Sequence, residues 1–336
     1  MTDAALDRVT VRKVYDNGRH NAFTSLARWR GRLYLAFRTA DSHANPDTPE
    51  GVVTVLSSPD DGETWEPAAV IRGMYGMDLR DPKLLSAPDR LWLHTFEYQG
   101  PNRRDAMVTW SEDGASFEPV RRALSEDNYV IWWPAYHRGR FYGAGYRYSG
   151  DKREIRSVFY TSDDGERWRA ASLVYDVPWA NESARVMGED DCAAVLVRND
   201  GDRLTPPASS GRPVLARSAP PYRAWTYAEL DRKLSGLAFV RVDEGFLLAA
   251  RTHGPEGTRT ACFLMPDDPG AKAVPLRHLF TLPSGGDTSY AGFVVEGRRV
   301  LMSYYSSHEY LHAGRPRSAV YLAEFNLDQV LQGLES

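Results

Sequence analysis

The sequence predicts an all-β fold, a six-bladed β-propeller of four-stranded antiparallel blades, and two repeats support this prediction. In the first repeat, a turn precedes an apolar strand that ends in a large polar or aromatic residue, and the unit occurs six times. Another strand-like run precedes each turn, so every unit contains a hairpin and leaves room for two more strands. Four strands in about 40–50 residues are typical of a propeller blade. The turn markers, which lie 58, 50, 50, 54 and 54 residues apart, are Gly31, Asp89, Gly139, Glu189, Asp243 and Gly297.

The second repeat is a turn rich in aspartate and glycine. Residues 58–65 read S-x-D-x-G-x-T-W, residues 161–168 are a variant, and residues 111–117 are a degenerate copy. In such a turn, Asp accepts hydrogen bonds from backbone amides, Gly supplies a positive φ, and Trp fills the gap between strands. This chemistry favours a structural role, with calcium loops or catalytic carboxylates as the alternative.

The two chain ends complete the predicted ring. The six units fill residues 1–336, so we expect one propeller domain. The strand-like runs at residues 9–14 and 319–324 should pair in one blade, which removes exposed sheet edges. Residues 327–334 predict a short helix.

The composition argues against several other classes of protein. The net charge of -4 gives no basic footprint for nucleic acid, and no run approaches the roughly 20 apolar residues that span a membrane. The two cysteines, Cys192 and Cys262, form neither a disulfide framework nor a metal cluster, and we expect no cofactor. Residues 1–7 lack the basic and apolar regions of a secretory signal, so we expect a cytoplasmic protein.

One rim of the propeller is predicted to carry the functional site. The start of the first strand of a hairpin and the end of its second strand lie at the same end, and these hairpins line the central axis. Three arginines among the strand ends would repel one another unless an anion joined them, and guanidinium groups bind carboxylates through two hydrogen bonds. Separate salt bridges are the alternative. The second-strand ends are Arg38, Phe96, Tyr146, Arg198, Arg251 and Tyr304.

The first-strand starts add acid–base chemistry to the same rim. Glu182 and Tyr290 stand at two of these starts, and a carboxylate beside a phenol can accept its proton and increase its nucleophilicity. The loop after the first strand-end arginine carries Asp41, His43 and Asp47, each a candidate general acid. Further candidates for substrate binding are His20, Arg80, Asp81, Trp133, Tyr146, Tyr304 and His308.

Several of these candidates have a structural alternative. His20 and His43 can be hydrogen-bonded residues at a strand start, although histidine titrates near neutrality and suits acid–base chemistry. Arg80 and Asp81 can form an internal ion pair. At 132–133 two tryptophans adjoin, and we expect one to be a stacking platform for a sugar and the other a plug between blades.

The ordered series of arginines, glutamate and tyrosine resembles the sialidase (neuraminidase) superfamily, and the aspartate-glycine turns resemble the Asp boxes of those propellers. The resemblance covers nearly the whole chain, through residues 37–38, 181–198, 247–251 and 284–290. It implies that three arginines bind the substrate carboxylate, and that a tyrosine nucleophile works with a glutamate partner and an acid on the loop after the first arginine. The residues concerned are Arg38, Arg198, Arg251, Tyr290 and Glu182.

The sequence also departs from this superfamily. The Arg-Ile-Pro context of the first arginine is absent, and Tyr304 and Tyr305 occupy the region where a carboxylate partner for that arginine is expected. The segments 20–23, 78–83 and 306–309 resemble a branch of the superfamily that is labelled exo-sialidase by similarity alone.

We therefore expect a retaining exo-glycosidase that acts on an acidic sugar or oligosaccharide. Most glycosidases use a pair of carboxylic acids, and sialidases are an exception because their nucleophile is a tyrosine. The first alternative is a lyase on uronates, which would use tyrosine and histidine as acid and base. The second is a propeller that binds carbohydrate without catalysis.

Overall fold

The computed structural model describes residues 5–43, 51–100, 102–201, 210–268, 270, 272–313 and 316–334. They form six sheets whose first strands contact one another in turn around a central axis, so the predicted six-bladed propeller is confirmed. Each blade begins at the axis and runs outward through antiparallel pairs. No helix in this part of the chain is long and apolar enough to cross a membrane.

The N-terminal strand, β1 (Val9–Tyr15), belongs to the last blade, and the next three blades follow in chain order. Blade I consists of β2 (His20–Trp29), β3 (Arg32–Ala40), β4 (Val52–Ser58) and β5 (Glu66–Ile71). Blade II consists of β6 (Asp78–Ser86), β7 (Leu91–Tyr98), β8 (Arg104–Ser111) and β9 (Arg121–Arg122). Blade III consists of β10 (Tyr129–His137), β11 (Arg140–Arg147), β12 (Arg156–Ser162) and β13 (Arg169–Tyr175).

The remaining blades repeat this plan with one addition. Blade IV consists of β14 (Ala180–Met187), β15 (Ala193–Asn199), β16 (Val214–Ser218) and β17 (Thr226–Leu230). Blade V consists of β18 (Ser235–Val242), β19 (Gly245–Gly254), β20 (Gly257–Met265) and, after a short strand β21 (Ala273–Val274), β22 (Arg277–Thr281). Strand β21 pairs in parallel with the outer edge of blade IV and makes it five-stranded.

Blade VI closes the ring with strands from both ends of the chain, as predicted. Strands β23 (Thr288–Glu296), β24 (Arg299–Ser306) and β25 (Ala319–Asn326) supply three strands, and β1 pairs antiparallel with β25. The predicted C-terminal helix is also present, as α1 (Leu327–Gly333). Its N-cap is Asn326, whose side chain accepts a hydrogen bond from the Gln329 amide at 3.2 Å.

The three aspartate-glycine turns join the third and fourth strands of blades I, II and III. In the first of them, Ser58 Oγ accepts the Gly62 amide at 2.8 Å, and Asp60 accepts the amide and the hydroxyl of Thr64. The indole of Trp65 donates to the Gly62 carbonyl at 3.1 Å. The hydrogen bonds from Thr64 lower the pKa of Asp60 to about 2, so the aspartate is ionised at neutral pH and stabilises the turn in which it lies.

Candidate functional site

A β-bulge near the start of each inner strand shapes one end of the axis. In five blades two residues of the inner strand oppose one residue of the second strand, and β10 carries a single extra residue. Bulges bend a strand and redirect its side chains, and they concentrate beside active sites. The first bulged residues of the six blades are Phe23, Asp81, Trp132, Asn181, Gly236 and Tyr290.

A positive φ marks the same position in four of the blades, and in three of them the residue is not glycine. Phe23 has a φ of 62°, Asp81 of 53°, Gly236 of 56° and Tyr290 of 51°. A bulky residue at positive φ costs energy that the surrounding structure must offset, and such residues cluster at functional sites. The conformation turns the side chains of Phe23, Asp81 and Tyr290 into a common cavity.

This cavity, which we call the rim cavity, has a volume of about 390 Å³ and opens at the rim predicted from the hairpin geometry. It combines four guanidinium groups with three carboxylates, an imidazole and several aromatic rings, as a site for a polar, anionic ligand would. Its charged residues are Arg80, Arg104, Arg198, Arg251, Asp81, Glu182 and Asp200, with His43 beside them. Its aromatic residues are Phe23, Phe96, Tyr98, Trp132, Tyr146, Tyr148 and Tyr290.

Tyr290, Glu182 and Arg198 form a hydrogen-bonded cluster in the rim cavity. The Tyr290 hydroxyl donates to Glu182 Oε1 at 3.0 Å. Arg198 donates from one terminal nitrogen to Glu182 Oε2 at 2.7 Å and to the Tyr290 oxygen at 2.9 Å, and its Nε donates to Asp200 at 2.7 Å. The phenolic oxygen therefore lies between a proton acceptor and a fixed positive charge.

Burial, followed by the charge of Glu182, raises the pKa of Tyr290 above its ordinary value, so the phenol is neutral at pH 7. A neutral phenol becomes a strong nucleophile only when a base removes its proton during attack. Glu182, which already accepts the hydroxyl proton, is placed for that role. The Tyr290 ring has room because Gly236 lies beneath it, where a Cβ would come within 3.1 Å of the ring.

Asp287, immediately before β23, joins a second cluster at the edge of the rim cavity. Its Oδ1 accepts from Arg251 at 2.9 Å and from the Tyr305 hydroxyl at 2.6 Å. Its Oδ2 lies 2.8 Å from His20 Nε2 and 2.6 Å from His43 Nδ1. Both oxygens of the carboxylate thus have two partners each.

The ionisation of Asp287 determines which nitrogens of the two imidazoles carry protons. Burial alone would raise its pKa, but hydrogen bonds from His20 and His43 and the charges of His43 and Arg251 hold the pKa of Asp287 well below its usual range. An ionised carboxylate only accepts hydrogen bonds, so His20 presents Nε2–H and His43 presents Nδ1–H. The Nε2 atom of His43, whose side chain is about half exposed, is left to exchange a proton with a ligand.

The same three side chains could hold a metal ion, since their ligand atoms all lie within 4.8 Å of one another. Two histidines and a carboxylate suit a divalent transition metal. The guanidinium of Arg251 also contacts this carboxylate, however, and its positive charge opposes a cation there. The arrangement therefore favours a hydrogen-bonded cluster of His20, Asp287 and His43.

Asp81 is the most deeply buried acid of the rim cavity. It is 6% exposed, and its Oδ1 has no hydrogen-bond partner among the described residues. Burial raises the pKa of Asp81 to about 6, with the charge of Arg80 acting in the opposite direction. The internal ion pair of Arg80 with Asp81, an alternative from the sequence, is not formed: Arg80 Nε lies 3.8 Å from Asp78 Oδ2, and Asp81 lines the rim cavity with its Oδ1 unpaired among the described residues.

The raised pKa predicts how Asp81→Asn changes stability with pH. The folded-state pKa lies above that of the unfolded chain, so folding favours the protonated acid and this contribution is lost as pH rises from about 4 to about 6. Above pH 6 the variant should be more stable than the wild type by about 3 kcal/mol, and below pH 4 the two should be equal. Asparagine tolerates the positive φ at this position.

Urea unfolding of both proteins across this pH range measures the difference. Asp41→Asn is the matched control, because Asp41 is exposed and pairs with Arg19 at 2.9 Å. A stability difference between the Asp81 variant and the wild type that stays constant with pH contradicts the titration of a buried acid.

Arg38 requires a correction to the predicted arginine cluster. It is 2% exposed, and all three of its guanidinium nitrogens are engaged within the protein. Nε and one terminal nitrogen donate to the two oxygens of Asp78 at 2.6 and 2.8 Å, and the other donates to the Ser42 carbonyl at 2.8 Å. Gly51 makes room for this pair, since a Cβ there would overlap Asp78 Oδ1. The sequence alternative of a separate salt bridge therefore describes Arg38, which does not line the rim cavity.

Four further predicted residues also lie outside the rim cavity. Asp41 pairs with Arg19 on the surface. Tyr304 is buried, and its hydroxyl donates to the Pro283 carbonyl at 2.9 Å. Side chains alternate along a strand, so the neighbouring Tyr305 reaches Asp287 instead.

His308 and Trp133 are the last two predicted residues outside the rim cavity. His308 Nδ1 lies 2.9 Å from Ser306 Oγ. Trp133 lines a second cavity, whereas its neighbour Trp132 lines the rim cavity. Asp47 lies outside the described residues.

The structure brings the other predicted residues together and adds several that sequence reasoning missed. Glu182, Tyr290, Arg198, Arg251, His43, Arg80, Asp81 and Tyr146 line the rim cavity, and His20 joins them through Asp287. Arg104 was missed because it starts a third strand; its guanidinium carbon lies 3.7 Å from the Tyr148 ring centroid. Asp200 was also missed, although its position two residues after Arg198 was a signal.

Comparison with solved structures identifies similar folds. An unknown-function protein from Dyadobacter fermentans has 20% identity and a TM-score of 0.73, over 95% of this chain and 99% of that one. The endosialidase of phage phi92 has 11% identity and a TM-score of 0.70, over 95% of this chain and 69% of that one. A Trypanosoma rangeli sialidase has 11% identity and a TM-score of 0.66, and the match covers 96% of this chain but only 57% of the sialidase chain.

These likenesses establish the propeller fold that the chain shares with sialidases. Another structure of the trypanosomal sialidase, at 11% identity and a TM-score of 0.64, is described as a covalent intermediate with 2,3-difluorosialic acid. No protein-family profile matches the sequence, and no curated protein is similar to it.

Proposed function

We propose that this protein is a sialidase-like retaining exo-glycosidase that removes a carboxylate-bearing sugar. The observation that carries the proposal is the cluster of Tyr290, Glu182 and Arg198, in which a buried neutral phenol donates to a carboxylate under a guanidinium. A tyrosine nucleophile is the exception among glycosidases that sialidases represent. The fold that the chain shares with the phage phi92 endosialidase and the Trypanosoma rangeli sialidase supports the same class of reaction.

In the first step, the Tyr290 oxygen forms a bond to the anomeric carbon while its proton passes to Glu182 Oε1. The bond from that carbon to the leaving-group oxygen breaks, and protonated His43 gives the oxygen its Nε2 proton. In the second step, His43 removes a proton from water, which attacks the anomeric carbon. Tyr290 then leaves and recovers its proton from Glu182.

The arginines of the rim cavity would bind the sugar carboxylate. Arg198 and Arg251 flank Tyr290, and the Arg251 guanidinium carbon lies 5.3 Å from the centroid of the tyrosine ring. Arg80 Nε is buried without a hydrogen bond among the described residues, and its ion pair with Asp78 is long, at 3.8 Å, so Arg80 is also suited to an anionic ligand. These three arginines replace the set containing Arg38 that the sequence predicts.

A second function is favoured by the pairing of His43 with Asp287. An imidazole that donates Nδ1–H to a carboxylate is oriented to remove a proton with Nε2. On a uronate, His43 would take the proton from the carbon beside the carboxylate, and Tyr290 would protonate the departing oxygen. The electron pair of the broken C–H bond would form the double bond of an unsaturated product.

The experiment offers the purified protein two kinds of substrate and follows two products. Fluorogenic α-ketosides of sialic and related ulosonic acids report the release of free sugar, and uronate oligosaccharides report an unsaturated product by its ultraviolet absorbance. We expect turnover of the ketosides. Ultraviolet absorbance without sugar release would replace the glycosidase with the lyase. Binding without turnover of either would leave a carbohydrate-binding propeller.

A further inference from the structure

A second cavity lies inside the propeller, at the other end of the axis from the rim cavity. This axial cavity has a volume of about 350 Å³ and is lined by the later parts of all six inner strands. Three of its lining residues have cationic side chains, namely Lys83, Arg185 and Arg241. None of the described residues that line it is an aspartate or a glutamate.

Two of these cations are buried without a carboxylate partner in the cavity. Lys83 is 2% exposed, and its ammonium nitrogen has no hydrogen-bond partner among the described residues. It lies 5.4 and 5.0 Å from the ring centroids of Trp132 and Trp133. Arg185 is 7% exposed and donates to the Pro134 carbonyl at 2.5 Å. Its Nε has no hydrogen-bond partner among the residues that the structure describes.

Two unpaired cations in one buried cavity are energetically costly. A buried charge is normally paired, because moving a charged group out of water is unfavourable. Only an opposite charge or a set of hydrogen bonds offsets this loss of hydration. Lysine can escape this cost by losing its proton, and burial lowers the pKa of Lys83 to about 8. Arginine stays protonated in proteins, so Arg185 keeps its charge.

The groups around the cavity mouth do not supply the missing negative charge. Arg241 is already paired with Asp267 at 2.7 Å. His137 is paired with Asp191 at 2.7 Å. The acids whose charges act on Lys83 are Asp81 and Glu182, and both line the rim cavity instead.

We propose that the axial cavity is a binding site for a small monovalent anion of the halide class, held by Lys83 and Arg185. An ammonium and a guanidinium offer the N–H donors that a spherical anion accepts. The remaining walls include Trp133, Phe239 and Phe293, which favour a weakly hydrated anion over a strongly hydrated one such as sulfate. This site is separate from the rim cavity and does not depend on the reaction proposed there.

Thermal unfolding in sodium bromide and in sodium methanesulfonate at equal ionic strength tests the site. Bromide at about a hundred times its Kd should raise the folded-to-unfolded ratio of the wild type about a hundredfold, and therefore raise its Tm. Arg185→Met should lose this bromide effect. In methanesulfonate the same variant should be more stable than the wild type, because an unpaired buried charge has been removed.

Arg140→Met is the matched control, since Arg140 is half exposed and pairs with Asp163 outside the cavity. It should keep the full bromide effect. An equal rise of Tm in the wild type, Arg185→Met and Arg140→Met would overturn the proposal.

If Arg185→Met fails to fold, Lys83→Met takes its place. Anomalous scattering from bromide in crystals of the wild type gives an independent measurement. A bromide peak beside Lys83 and Arg185 supports the site, and no peak at a concentration that raises the Tm contradicts it.

Discussion

Replacing Tyr290 by phenylalanine should reduce the turnover of a ketoside substrate by at least about a thousandfold, because the phenyl ring has no oxygen to form the bond to the anomeric carbon. The variant should keep the fold. Its ring fills the same space above Gly236, and the lost hydrogen bond to Glu182 is one of several in the cluster. Steady-state rates on the fluorogenic ketoside and a urea unfolding curve measure both properties.

Tyr304→Phe is the matched control for this variant. Tyr304 is fully buried in the same blade and loses only a hydrogen bond to the Pro283 carbonyl, outside the rim cavity. Its turnover should stay within about threefold of the wild type, since no contact with the site is removed and the lost hydrogen bond is worth about 1 kcal/mol of stability. If Tyr290→Phe retains wild-type turnover, Tyr290 is not the nucleophile. If Tyr304→Phe loses as much turnover as Tyr290→Phe, the assignment of the site to the rim cavity is wrong.

Asp78→Ala should lower the free energy of unfolding by about 3–5 kcal/mol, the largest stability effect we expect from one substitution. Asp78 is the carboxylate that accepts two hydrogen bonds from Arg38, and both side chains are buried. Removing the acid leaves a guanidinium charge in the interior with only the Ser42 carbonyl as its partner. Urea unfolding at neutral pH gives the difference directly.

Two further variants interpret this result. Arg38→Met combined with Asp78→Leu removes both charges and should recover most of the lost stability, because buried ion pairs contribute little net energy relative to apolar side chains. Asp163→Ala breaks exposed pairs with Arg140 and Arg169 and should cost less than about 1 kcal/mol. A loss below about 1 kcal/mol for Asp78→Ala would contradict the buried ion pair between Arg38 and Asp78.

The blade plan could be predicted because each blade repeats the same local information. The turn at Gly31 recurs at five further markers, and the apolar strands on either side of each turn can form only a hairpin. Pairing of the two chain ends was also predictable, since residues 9–14 and 319–324 had no partner elsewhere. The fifth strand of blade IV was not predictable, because it consists of Ala273 and Val274 alone and a two-residue strand has no recognisable sequence pattern.

The rim was predictable from hairpin geometry, but the contacts on it were not. The six bulges depend on how inner strands pack around the axis, and their register is absent from local sequence patterns. For this reason Trp132 and Trp133 could not be assigned to the correct cavities in advance. The partner of Arg38 was equally hidden, because Asp78 lies 40 residues away in the next blade.

The sequence by itself determined the propeller, the ring closure and the placing of Glu182, Arg198, Arg251 and Tyr290 at one end of the axis. These follow from repeat spacing and strand direction, which local patterns record. Tertiary structure alone decided that Arg38 is neutralised by Asp78, that Asp287 joins His20 to His43, and that Lys83 and Arg185 share a second cavity. Such facts depend on distances between blades, and the charge of a buried group is determined by neighbours that are remote in the chain.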